Sequence, residues 1–104
     1  MNNINLSPLE QAQLHVQNQY RRITHVALLL RMNAEERKAI KDRRLTDDEV
    51  EDIMFIMEKA EYVDFDDPVT IGSLYKLYEK GLFVEGRVET ILSAEIQDRE
   101  RPGK

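Results

Sequence analysis

The sequence predicts an all-α fold, a compact bundle of about five helices in a single domain, and three observations carry that prediction. Helix formers dominate, while glycine and proline are scarce, at four and three residues in 104. No stretch alternates apolar and polar residues for long enough to argue for a strand. Capping signals stand ahead of most of the apolar runs that have helical spacing.

The first start is Ser7-Pro8-Leu9-Glu10. Ser7 can cap, Pro8 fills a position with no use for an N–H, and Glu10 can reach back. From there Leu9, Ala12, Val16, Tyr20, Ile23, Ala27 and Leu30 recur at spacings of three and four, one stripe of a helix reaching about Met32. Leu14, Val26, Leu28 and Leu29 widen the stripe, so this helix is expected in the middle of the fold or in a dimer interface. Asn33-Ala34-Glu35-Glu36 opens a short helix to about Arg43. Thr46-Asp47-Asp48-Glu49 is a third capping box, and its helix places Val50, Ile53, Met54, Met57 and Ala60 on one face. Phe55 and Ile56 lie off that face, which predicts cover on two sides.

Asp67-Pro68 starts a fourth helix running to Lys80, with Gly81 as the left-handed residue that ends it. A short connection through Gly86 leads to a last helix bearing Val88, Ile91, Leu92 and Ile96. Residues 1–6 and 98–104 are expected to be flexible, the latter because it has nothing apolar to bury.

Composition narrows the classes of function. The absence of cysteine removes disulfides, thiolate nucleophiles and cysteine metal sites, and makes a cytoplasmic location the default. The longest apolar runs, Val26–Leu30 and Ile53–Met57, are far short of the roughly 20 residues a membrane span needs, so no membrane partner is expected. The first residues lack the basic start and apolar core of a secretory signal.

The net charge of −5 conceals a division. Residues 1–44 carry eight Lys/Arg and four Asp/Glu, whereas residues 45–104 carry seven and sixteen. Ten acids lie between Asp47 and Asp67 with Lys59 as the lone base, just after the basic run Arg37, Lys38, Lys41, Arg43 and Arg44. Acids at a helix start and bases at a helix end complement the macrodipole, at about 0.3–1 kcal/mol each. A second reading makes the acidic face a docking surface for a basic partner protein, such as one whose cleft otherwise holds phosphates. A third lets the two halves bind each other in a homodimer.

Sites for chemistry are thin. His15 and His25 would lie about 80° apart around the first helix and about 15 Å apart along it, so they share no metal. His25, beside the apolar end, reads as a partly buried structural histidine. Asp64-x-Asp66 opens like a calcium loop, but Val69 stands where glycine is required and Tyr75 where glutamate is. No phosphate-binding glycine loop or nucleophile elbow occurs. No enzyme, metal or cofactor is expected.

Nucleic acid is an unfavourable partner for the helix pair Ala34–Ala60. Its second helix would present Asp47, Asp48, Glu49, Glu51 and Asp52 to phosphates. The segment Thr70-Ile71-Gly72-Ser73-Leu74-Tyr75-Lys76-Leu77-Tyr78-Glu79-Lys80-Gly81-Leu82 resembles the recognition helix and following turn of winged helix-turn-helix regulators. That resemblance covers thirteen residues and implies, as an alternative, a DNA-binding transcriptional regulator. Against it, Arg87–Ile96 reads as helix where wing strands belong.

The reading reached is a non-enzymatic, acidic protein that binds another protein, as a regulator, inhibitor or assembly factor of the kind common in phages and mobile elements. A structural homodimerising module is the other alternative. The expected binding residues are Asp48, Glu51 and Asp52 on the third helix and Asp64, Asp66 and Asp67 in the following loop. Tyr62 and Phe65 are the expected aromatic anchors.

Overall fold

Pairing with a distant segment, rather than the helical stripe, governs the backbone where the described chain begins. In the computed structural model, which describes residues 20–103, β1 (Arg22–Ile23) pairs antiparallel with β2 (Val63–Asp64). Arg22 lies opposite Asp64 and Ile23 opposite Val63. Helix begins only after Thr24, whose hydroxyl accepts from the Ala27 N–H at 3.0 Å.

The long helix to Met32 is thereby corrected. Among the described residues it is α1 (His25–Arg31), and its predicted start at Ser7 lies outside them. Ile23 and Val63 are β-branched and suit an extended backbone, and both sit in the core. Burial of that pair outweighs the continuation of one helical stripe.

The remaining helices are α2 (Ala34–Arg44), α3 (Asp48–Lys59), α4 (Pro68–Glu79) and α5 (Arg87–Ser93), followed by a 3-10 turn at Asp98–Glu100. The fold is all-α: five helices and one two-residue ladder among the described residues. The Asn33 box forms in both directions, with Asn33 Oδ1 accepting from the Glu36 N–H and Glu36 Oε1 from the Asn33 N–H, each at 2.8 Å.

The third box is corrected by one residue. Asp47, not Thr46, caps α3, its Oδ1 accepting from the Glu49 and Val50 N–H groups. Thr46 and Asp47 still donate their own N–H groups to the Arg43 carbonyl, so Thr46 belongs to the end of α2. At the end of α4, Gly81 has φ +82°; its N–H goes to the Tyr78 carbonyl and that of Leu82 to the Leu77 carbonyl. This is a Schellman ending, with Leu77 and Leu82 both buried as its apolar contact.

The core gathers Ile23 and Leu28 from the start of the fold, Ile40 from α2, and Val50, Met54 and Met57 from α3. Phe65 joins from the β2 turn, Leu74 and Leu77 from α4, and Val88 and Ile91 from α5. Leu28 is fully buried in the protein's own core, so α1 does not present it to a second copy. Phe55 and Ile56 are 49% and 55% exposed, which corrects the expected second cover over α3: none of the described residues supplies it.

The C-terminal segment carries a tether that its sequence does not show. Glu100 is buried, accepts from Arg31 Nε and Nη2 at 2.8 and 2.9 Å, and receives the Thr24 N–H on its carbonyl. A charged pair, rather than an apolar residue, docks this tail.

Candidate functional site: an acid-rimmed cleft between α3 and α4

Where none of the described residues covers Ile56, a cleft opens between α3 and α4. The second half of α3 supplies Ile53, Ile56, Met57 and Ala60, at the i, i+3, i+4, i+7 spacing of one helix face. The start of α4 supplies Val69, Thr70 and Ser73, and the β2 segment closes the cleft with Tyr62, Val63 and Asp64. The volume is about 470 Å³, within the range of ligand-sized pockets. Ile56 and Val69, the latter 70% exposed, hold apolar surface open to solvent, and Glu61, Asp64 and Asp67 place carboxylates in the lining.

The eight binding residues expected from the sequence divide into groups. Tyr62, Asp64 and Asp67 line the cleft. Asp64 pairs with Arg22 at 3.6 Å and accepts the Asp66 N–H, and Asp67 caps α4 by accepting the Val69 N–H. Tyr62 faces the Arg22 guanidinium, which stacks between its ring and that of Tyr20 at 4.4 and 4.1 Å. Asp66 reaches Arg21 at 3.3 Å.

Phe65 is not an exposed anchor. It is 1% exposed, with the Arg21 and Arg31 guanidinium groups 5.8 and 5.2 Å from its ring centroid. Glu51 is held by Arg44. Asp48 and Asp52 stay exposed on the outer face of α3, away from the cleft lining.

The division of charge resolves largely within the molecule. Arg44, at the basic end of α2, binds Glu51 and Glu58 of α3 together, and the pair with Glu58 holds that carboxyl below its ordinary range. Arg37 donates to the Leu29 and Met32 carbonyls at the end of α1. Lys80 lies 2.9 Å from both Asp47 and Glu49, fastening the end of α4 to the start of α3. Arg44 thus joins the basic half to the acidic one, while Lys80 neutralises two acids of its own half.

The thirteen-residue segment that resembles a recognition helix forms α4, but Lys80 is committed to those acids and Lys76 to Glu79. The next regular element is α5, and the ladder of the fold precedes α4.

His25 begins α1, and its Nδ1 is buried without a hydrogen-bond partner. Burial, more than any neighbouring charge, holds its pKa below the ordinary 6.5, with Glu58 opposing and Arg44 reinforcing. A depressed histidine takes its proton more readily in the unfolded chain, so it destabilises the fold as pH drops below 6.5. Glu36 and Glu100, held below 4.5 chiefly by Arg87 and Arg31, withdraw their contribution only below that value. Urea midpoints are therefore expected to fall in two stages on acidification. His25→Gln should flatten the stage just below 6.5 and leave the stage below 4.5; an unchanged first stage would assign it to another group.

Among the lining residues that sequence reasoning missed are Glu61, Val69, Thr70 and Ser73, together with the exposure of Ile56. The off-stripe position of Ile56, and Val69 lying directly after Pro68, were the signals available. Among the described residues, no group of three or more histidine, aspartate or glutamate side chains is placed to hold a metal ion, and no helix is long and apolar enough to cross a membrane. No protein-family model, curated protein or solved structure matches the chain.

Proposed function

We propose that this protein acts by binding another protein, and that the α3–α4 cleft receives an apolar side chain flanked by lysine or arginine. The observation that carries this reading is an apolar cleft, floored by Ile53, Met57 and Val63, whose lining also holds Glu61, Asp64 and Asp67. Apolar contact there would supply the affinity, and the carboxylates would steer a basic partner and fix its register. Blocking such a partner would be steric, which suits a regulator, inhibitor or assembly factor working in the cytoplasm.

Asp64, Asp66 and Asp67 are poor positions for testing this, because each is tied into an ion pair or a turn of the fold. Glu61 and Val69 are exposed and leave the core untouched. Affinity capture from the native cell extract, followed by mass spectrometry, should identify one dominant basic protein. Glu61→Lys with Val69→Asp should lose it at an unchanged melting temperature. Capture that survives this double change, or submicromolar DNA binding with a steep salt dependence, would overturn the reading.

A further inference from the structure

The solvent face of α3 carries a second pattern, separate from the cleft. Asp48, Asp52, Phe55 and Lys59 follow one another at spacings of four, three and four, and so fall within about 60° of arc at 100° per residue. All four are exposed. None of Asp48, Asp52 and Lys59 is in an ion pair among the described residues. Lys59 instead lies over the ring of its own Phe55, 5.4 Å from the centroid. The stripe is therefore acidic at its start, aromatic in its second half and basic at its end, with Ile56 beside it.

We infer that this face is an isologous seam for a second copy of the chain, with the two α3 helices packed antiparallel. A two-fold axis across the helix sets each copy's acids against Lys59 of the other and brings Phe55 and Ile56 together near the axis. Parallel packing would stack acid on acid and lysine on lysine. The 4-3-4 spacing is that of a coiled-coil seam, in which such a stripe stays in contact along the helix. A seam of twelve residues lies at the small end of interfaces, below about 1,200 Å², so the dimer forms at high rather than low concentration.

This inference does not rest on the proposed partner cleft: only Ile56 is common to both, and the deciding charges are different. Sedimentation velocity from low to high micromolar concentration should show the mass rise from one copy to two. Asp48→Lys with Asp52→Lys leaves the stripe wholly basic, and Lys59→Glu leaves it wholly acidic. Each variant should stay at the mass of one copy, with the helical circular dichroism signal retained. Mixed in equal amounts, the two variants should pair again, and a chain carrying all three changes should regain the wild-type dimer. A wild-type mass of one copy throughout overturns the inference. So does dimerisation of either variant alone, or failure of the mixture to associate.

Discussion

Replacing Phe65 with alanine should remove about 3–5 kcal/mol of stability, the range for truncating a large aromatic in a packed core. The ring is essentially inaccessible, lies in the main cluster and sits beneath two guanidinium groups. At about 4–8 °C per kcal/mol for a domain near this size, the melting temperature should fall by more than about 10 °C. An exposed anchor would behave in the opposite way, losing partner affinity while the melt stayed unchanged. Thermal denaturation followed by circular dichroism separates the two. A shift under about 2 °C would return Phe65 to the surface.

Arg31→Leu should be comparably severe, at about 3–5 kcal/mol, because it leaves a buried carboxylate without its partner. The side chains of Arg31 and Glu100 are 8% and 10% exposed. The same guanidinium donates to the Ile91, Ala94 and Glu95 carbonyls, just where α5 ends. One residue therefore ties α1, α5 and the C-terminal turn together. Removing both charges, with Glu100→Leu added, should recover part of the loss, since a buried pair resists the removal of one partner far more than the removal of both. Urea midpoints of the two variants measure this. A double variant no more stable than Arg31→Leu would place the whole effect on the carbonyl contacts.

The two residues also mark the limit of what the chain discloses on its own. Phe65 follows Asp64 and precedes Asp66 and Asp67, and its neighbours read as a solvated loop. Its burial depends on the segment leading into β1, some forty residues earlier, where the Arg21 carbonyl receives the Phe65 N–H at 2.8 Å. Glu100 lies in a tail of seven residues with no large apolar side chain, and only the distant Arg31 gives it a reason to be buried. Neither contact has a sequence period, because each joins segments more than forty residues apart.

The outcome was better where the determinant is local. The Asn33 and Asp67 caps and the Gly81 ending lie where residue chemistry puts them, because a cap is satisfied within three or four residues of itself. Even there, Thr46 lost its place to Asp47, since Thr46 was already bonded to the end of α2. Of the proposed partner site, the acids at Asp64 and Asp67 and the ring of Tyr62 were visible as composition, and the cleft was not. A cleft exists where two helices fail to cover a face, and no single segment records what its neighbour omits.

By itself, then, the sequence determined the all-α class, four of the five described helices to within a few residues, and the sign of the surface. Short-range hydrogen bonds and helical periodicity are written into neighbouring residues. Tertiary structure alone decided that the chain is extended rather than helical at Arg22–Ile23, that the basic run neutralises part of the acidic one, and that Phe55 and Ile56 of α3 stay exposed. Those outcomes turn on which distant side chains meet, and the burial of Ile23 against Val63 outweighs the local preference for one more turn of helix.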